Sequence, residues 1–578
     1  MIFNTLNKTL LTLSIIFFLA SLVIFYMVLY IQYDTTLAFY TVDYRIHTWD
    51  EVIYYFNRIT RFIELGFLNY HDGIESTFSK IDFNIFPFLF NSIIYFIFGF
   101  NWFPIIINII LGLILLYLFY YIAKEVFRFE TNFAIALSLL MLITFGYGPT
   151  TYIMIKPLFI DLNNQWFLPP IARQESPSTV LFILLSYFII LYNYVYKERN
   201  FFLIPLIIIT FINNFSYPYY ILYTLTFVSF MLVYIFYFER SYLKRFLVAI
   251  FFNYLFFLLW FILGKIYVSH DSDFIYTLIF DRSLDVKTLL INGIFIFIHF
   301  VNIVYNKNIN NNISKIFIIM LLAGIVSYHF NVVLGYKIEN WHIDIYVLKP
   351  LQWISLIFWS YQVLFIRNNA SLIIFIITAI FLLSNYNYSN TYIKNKNTYL
   401  TKQIDIYNSY NNISAYVKAK EVLSLDPLFI MAGSTITNHY NYITFSGREI
   451  QIDIERNLDK YILSSLLHDI NKVNTFENIN RINFGFIEGH KNYEPLKYII
   501  FLNDQVDEIY QSLDKYGSNI QEKDLKDLIF KRFDELLDSK NNYKGYILLN
   551  KNQFKNIIVL KDSKIIYEDH NIILYYKG

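Results

Sequence analysis

Two adjacent carboxylates, Asp50 and Glu51, open a segment that reads as an amphipathic helix. Val52, Ile53, Phe56, Ile59, Phe62 and Ile63 share one face, while Arg58, Arg61 and Glu64 lie largely off it. Such a helix lies along a membrane surface, and this one holds both acids at the lip of the bilayer. A carboxylate within hydrogen-bond reach of a hydroxyl can take its proton. A purely structural reading competes for Glu51. Thr48 followed three positions on by Glu51 fits a capping box, and acids suit a first helical turn through the helix dipole. That box does not require Asp50. A second loop, residues 151–177, carries a single Asp, Asp161, with Lys156 and Arg173. The two cations can face a phosphate, the arginine bidentately, although Asp161 and Lys156 can equally pair as plain structure. Arg282 and His342 are weaker candidates of the same kind. His299 and His329 fall inside apolar runs, where an ionisable side chain is by default a functional hypothesis. A neutral imidazole bonded to a backbone carbonyl answers that pattern as well.

Other chemistries find no support in the pattern. There is no phosphate-binding glycine loop, no HExxH and no nucleophile elbow around a serine. Asp271-Ser272-Asp273 is a spacing common by chance. With no cysteine in 578 residues, disulfides, thiolate metal sites and a cysteine nucleophile are excluded. A net charge of +2 gives no reason to expect a nucleic-acid partner.

The elements that hold these residues are apolar. The chain is 56% hydrophobic and only 16% charged, against about 25% charged in soluble domains. A helix needs about 20 apolar residues to cross a bilayer. Residues 9–31 qualify and read as a retained first span. Further spans are expected at 102–123, 132–150, 178–196, 201–213 (the shortest), 217–238, 246–264, 288–305, 316–335, 351–366 and 370–386. Lys and Arg collect in the short connections 124–128, 197–199, 240–245 and 307–315 and at Arg367, which marks them as cytoplasmic. About 11 spans follow, with the N-terminus cytoplasmic and the C-terminus outside. The long loops 32–101, 151–177, 265–287 and 336–350 then all fall on the outer side. Residues 82–99, with Pro87 near their start, are expected to lie in the outer interface. The alternative is a twelfth span, with one loop breaking the charge rule.

The first loop resembles that of the GT-C superfamily of polytopic membrane glycosyltransferases. The resemblance rests on Asp50-Glu51 just after the first span and on the amphipathic helix that follows. It continues through Gly66-Phe67-Leu68-Asn69-Tyr70, Phe86-Pro87 and Phe98-Gly99-Phe100. The stretch ELGFLNYHDGIEST (64–77) is similar to the first loop of arabinofuranosyltransferases of that class, which also includes protein mannosyltransferases and aminoarabinose transferases. The pattern covers about residues 1–180, and the rest only as topology. The resemblance implies an inverting transferase that moves a sugar from a polyprenyl-phosphate donor to a cell-envelope glycan, lipid or protein acceptor. Under it, Asp50 is the general base or metal-positioning acid, assisted by Glu51 and Asp161. Arg173, Lys156, Arg282 and His342 hold the donor phosphate. A divalent cation, Mg or Mn, held by Asp50 and Asp161 is left open.

The expected fold is therefore mostly α. Residues 1–386 form a GT-C-like transmembrane helical bundle in the plasma (inner) membrane, in contact with its lipids. Residues 387–412 are polar, Asn-rich and stalk-like. Residues 413–578 form an extracytoplasmic α/β domain. In that domain 427–433, 448–454, 497–502 and 543–549 read as strands, 457–470 and 523–538 as amphipathic helices, and 556–576 as short strands around a tight turn. Two rival functions fit the same chain. A transporter or flippase would show repeats and broken helices at midplane, and no repeat is visible. A non-catalytic scaffold with an outer binding domain would make Asp50 dispensable.

Overall fold

A computed structural model of the chain describes residues 2–40, 59, 85–144, 179–267, 279–280, 282–305, 310–334, 336–337, 343–363, 370–418, 420–426, 429, 433–437, 440–441, 454–481, 522–551 and 563–578. The chain divides into two compact units. One comprises Met1–Phe39, Phe83–Ile266 and Asp281–Asn395, and the other Tyr40–Asp82, Tyr267–Phe280 and Lys396–Gly578.

The first unit is a bundle of apolar helices. They are α1 (Ile2–Tyr33), α2 (Ile85–Tyr121), α3 (Thr131–Thr144), α4 (Val180–Val195), α5 (Leu203–Asn214), α6 (Pro218–Phe238) and α7 (Leu243–Tyr267), followed by α8 (Val286–Tyr305), α9 (Asn310–Tyr328), α10 (Lys349–Val363) and α11 (Ala370–Val417), of which the residues up to Asn395 belong to this unit. Among the described residues, Phe86–Val126, Tyr219–Phe238, Arg240–Leu263 and Val286–Val304 are long and apolar enough to cross a bilayer. Thr9–Ala20, Val180–Val195, Asn200–Asn214 and Asn312–Tyr328 are shorter apolar helices. The protein is a multi-pass membrane protein, and its helices coincide with the apolar runs read from sequence.

The basic connections gather at one end of this bundle. Lys197 Nζ lies 3.3 Å from Glu125 Oε2, which joins the turn after α2 to the turn after α4. Arg245 donates to the Tyr194 carbonyl at 3.2 Å. Lys315 sits over the rings of Tyr234 and Phe238 at 5.9 and 5.7 Å. Exposed pairs of this kind contribute little stability, but they establish that these turns share an end.

Residues 85–98 form the first half of α2. At the end of α1 the Thr36 hydroxyl donates to Asn101 Oδ1 at 2.9 Å, and Tyr30 meets Trp102 at 6.1 Å between centroids. Phe18 and Leu115 share one core. The second half of α2 therefore runs antiparallel to α1, and the chain between Thr36 and Asn101 leaves and returns at one end. The first half of α2 packs on helix ends there: Phe86 against Phe211 at 5.7 Å, Phe90 against Phe182 at 5.4 Å, and Asn91 Nδ2 to Thr179 Oγ1 at 3.3 Å. Gly99 divides the two halves at φ 72, ψ 173, a conformation essentially confined to glycine.

In the second unit a five-stranded sheet is ordered β2-β1-β3-β5-β4, from β1 (Glu421–Ser424), β2 (Tyr440–Asn441), β3 (Gly545–Asn550), β4 (Ser563–Glu568) and β5 (Ile572–Lys577). β1 lies parallel to β2 and β3, while β5 runs antiparallel to β3 and β4. Leu423, Leu467, Ile547, Leu549, Ile573 and Tyr575 form its core. The helices α12 (Ile454–Leu467) and α14 (Glu522–Glu535) are joined by Arg532, which grips both oxygens of Asp459. Between them in sequence comes α13 (Lys472–Arg481). Of the strands read from sequence, 543–549 matches β3, and 556–576 contains β4 and β5. Nearly all of 427–433 and 448–454, and the whole of 497–502, lie outside the described residues.

The polar stretch 387–412 is helical throughout, as part of α11. Ile393, Leu400, Ile404, Tyr407, Tyr410, Ile413 and Val417 recur at spacings of three, four and seven, and all are buried. Tyr410 donates to Asp426 Oδ2 at 2.6 Å, and Asn550 Nδ2 reaches the same oxygen at 2.8 Å. Burial first, and the Asp426 charge next, push the Tyr410 phenol well above its ordinary value.

Gly99→Ala is expected to cost at least about 1 kcal/mol, because a Cβ is strained at that backbone conformation. Thermal unfolding of the detergent-solubilised variant measures this. A Tm equal to wild type would show that the break does not need glycine.

Candidate functional site

Of the seven loop residues singled out for chemistry, six, Asp50, Glu51, Lys156, Asp161, Arg173 and His342, lie outside the described residues. The seventh, Arg282, is exposed and precedes α8 by a short irregular segment. That segment lies at the bundle end opposite the basic connections, because α8 and α9 pack antiparallel, with Tyr328 beside Asp285 at one end and Asn302 beside Ser314 toward the other, where α9 carries Lys315.

Local sequence explains how the segment is built. Asp285 caps α8, as an acid at that position should. Its Oδ1 accepts the amides of Lys287 and Thr288 at 3.0 and 3.2 Å. Its Oδ2 accepts the hydroxyls of Thr288 and Tyr328 at 2.8 and 2.9 Å. Burial alone would raise this carboxyl, but the bonds from Thr288, Tyr328 and the Lys287 amide outweigh it and hold the group below its ordinary value.

The corner after α9 completes the arrangement. His329 lies with Nδ1 3.0 Å from the Ile325 carbonyl and Nε2 3.2 Å from the Asp285 carbonyl. Asn331 Nδ2 donates to the Ser283 carbonyl at 3.0 Å. Tyr328, His329 and Asn331 thus hold residues 283–285 at three points, and Arg282 is next in the chain. Asp344, which pairs with Lys349 at 3.0 Å, lies within electrostatic reach of Tyr328. The arrangement presents a cationic side chain from a backbone that is already fixed, which lowers the entropy lost when an anion binds.

The two intramembrane histidines resolve as structure. His329 has a backbone carbonyl within hydrogen-bond distance of each ring nitrogen, and a neutral ring donates to one of them. His299 is buried, with Nε2 2.9 Å from Ser355 Oγ, whose own hydrogen goes to the Leu351 carbonyl at 2.7 Å. The ring therefore donates from Nε2. Its Nδ1 faces Ser314 Oγ at 3.4 Å, and Ser314 in turn accepts from Asn302 at 2.7 Å. Phe317 stacks on the ring at 4.8 Å. A neutral imidazole answers every one of these contacts. Among the described residues no group of three His, Cys, Asp or Glu side chains is arranged to hold a metal. The metal reading of Asp50 and Asp161 falls outside those residues.

Sequence reasoning did not single out Asp285, Tyr328 or Asn331. The signal for Asp285 was present, since an Asp followed by Val-Lys-Thr before an apolar run is a helix start. Nothing local marks Tyr328 or Asn331, whose partners lie 43 and 48 positions away.

No family model matches the chain, and no curated protein does. Among solved structures the chain is similar to ArnT from Cupriavidus metallidurans, crystallised bound to undecaprenyl phosphate. The identity is 10%, 97% of each chain is covered, and the TM-score is 0.46. A likeness at that level establishes neither a family nor an activity.

Asp285→Asn keeps a capping side chain but removes the charge, so it isolates the carboxylate. Its folded-state pKa lies below the unfolded value, so its contribution is present above about pH 4 and fades as pH falls through the folded value. The variant is expected to melt below wild type at pH 7, with the gap closing under about pH 4. Tm measured across pH tests this, and a gap independent of pH would assign the bonds to the neutral acid.

Proposed function

We propose that the protein is an inverting membrane glycosyltransferase of the GT-C type. In this reading it takes a sugar from a polyprenyl-phosphate donor and passes it to a cell-envelope acceptor. The reaction occurs at the membrane face opposite the basic connections, with the N-terminus cytoplasmic and the C-terminal unit outside. The observation that carries the reading is the arrangement of the first loop. An acidic pair follows the first span, then an amphipathic helix, then a proline-started segment that ends at Phe-Gly before the next span. The described part of that pattern supports it. Residues 85–98 lie across helix ends, and Gly99 turns the chain into the following helix.

The chemistry asks little of the protein beyond position. As the acceptor hydroxyl attacks the anomeric carbon from the face opposite the phosphate, it must lose a proton. Asp50 is the base for that proton, with Glu51 or Asp161 assisting. The departing phosphate needs no strong acid but does need cations and donors, which are Arg282, Arg173, Lys156 and His342. The donor pool comes from the bilayer, and a divalent cation at Asp50 and Asp161 remains a part of the proposal to test by chelation. The transporter alternative gains nothing from the bundle interior, where His299 is bonded to hydroxyls rather than to a carboxylate.

Asp50→Asn is expected to lower kcat by at least about 100-fold, with little change in KM. Arg282→Ala is expected to raise the KM for the donor by about tenfold, the scale of one charge-assisted hydrogen bond. Purified protein in vesicles carrying a polyprenyl-phosphate sugar provides the assay, backed by mass spectrometry of lipids and surface glycans in the host. Full turnover by a folded Asp50→Asn variant would remove the assignment and leave the acidic pair as a helix cap.

A further inference from the structure

The turn between α5 and α6 holds a set of buried polar atoms that no described residue satisfies. Asn213, Asn214, Tyr220 and Tyr223 are each no more than 1% exposed. The amide nitrogens of the asparagines are used: Asn213 Nδ2 meets Thr224 Oγ1 at 3.2 Å, and Asn214 Nδ2 donates to the Thr210 carbonyl at 2.8 Å. Thr224 has already committed its hydrogen to the backbone of its own helix. The Oδ1 atoms of both asparagines and the hydroxyls of both tyrosines have no hydrogen-bond partner among the described residues. The Asn213–Thr224 contact brings the end of α5 against the face of α6 that carries Tyr220, one turn before Thr224. The Tyr223 and Tyr346 hydroxyls lie within electrostatic reach of that of Tyr220.

We propose that this corner is a binding site for hydroxyl oxygens. The inventory is two phenol O–H donors and two amide carbonyl acceptors, each buried and none bonded to another among the described residues. An anion would take the phenol hydrogens but would be repelled by the carbonyl oxygens. A cation would suit the carbonyls but leave both phenol hydrogens without an acceptor. A neutral hydroxyl serves both halves, since its lone pairs accept from tyrosine and its hydrogen goes to asparagine. Such an oxygen comes either from an ordered water, the usual occupant of buried polar gaps, or from a sugar. The site lies at the bundle end that carries Arg282. Tyr346 belongs to the same turn as Asp344, whose partner Lys349 follows it. The site stands whether or not the chain is a transferase, and only the sugar source rests on that reading.

Tyr220→Phe and Tyr223→Phe test it, because each removes one oxygen and little volume. If the hydroxyls are truly orphaned, losing one relieves a buried unsatisfied donor and Tm rises or stays level. If an oxygen bridges them to the asparagines, each variant leaves that bridge short of a donor, and Tm falls by about 2 °C or more. The measurement uses the full-length protein in lipid nanodiscs, with and without methyl glycosides of common pentoses and hexoses. A fall in Tm, with a glycoside that stabilises wild type but not Tyr220→Phe, supports the site and assigns sugar hydroxyls. A fall with no glycoside response supports it and assigns ordered water. A level or raised Tm in both variants overturns it.

Discussion

Inside a bilayer a polar group has only the protein to bond to, and the bundle is organised around that constraint. Six of its buried asparagines meet it in one repeated way. Asn91, Asn108, Asn193, Asn214, Asn253 and Asn292 each donate from Nδ2 to the carbonyl four residues back, at 2.6–2.9 Å. A bond of that kind removes a donor from the apolar interior without a partner helix. It also leaves the amide oxygen to be used elsewhere or left bare. In Asn292 the oxygen accepts from Gln352 at 3.0 Å and ties α8 to α10. In Asn213 and Asn214 the oxygens are buried without a partner among the described residues. The same residue type therefore supplies a self-contained helix contact, an interhelical bond, and the acceptors of a candidate binding site.

Polarity is distributed unequally between the two ends of the bundle. At one end the charged turns are exposed and paired loosely, as with Lys197 and Glu125. At the other the polar groups are built in. Asp285 receives four hydrogen bonds, and the segment before α8 is held from three side chains of one corner. A fixed segment of this kind suits recognition, since little conformational entropy remains to be lost. The first half of α2 lies across helix ends on the same side as that segment.

The second unit obeys a different rule. It holds a buried carboxylate, Asp426, which would be costly alone but accepts hydrogen bonds from Tyr410 and Asn550. Asn571 Nδ2 reaches Ser409 at 3.1 Å, and Asn412 reaches Tyr567 at 3.1 Å. Residues 409–412 of α11 are thus fastened to the sheet by side chains rather than by apolar packing alone. A stretch rich in Asn and Tyr can be an ordered helix under those conditions, because its polar face has specific partners.

The spans, their order and the shared end of the basic turns were legible in the sequence. Hydropathy and the positions of Lys and Arg act locally, and transfer into lipid dominates every other term for such segments. The α/β character of the C-terminal residues was legible for the same reason, through the periodicity of 457–470 and 523–538. Whether residues 82–99 cross the bilayer was not, because apolarity suits both outcomes. The Thr36–Asn101 bond adds only that Asn101 lies at the end of the bundle where α1 ends. Nor did the sequence point to the Asp285 corner or the Asn213–Tyr220 corner as units. Each joins residues from separate helices, and a hydrogen bond across 43 positions leaves no periodic trace along the chain. Composition and spacing determined what must lie in the membrane, and only tertiary packing decided which polar atoms meet there and which are left for a ligand.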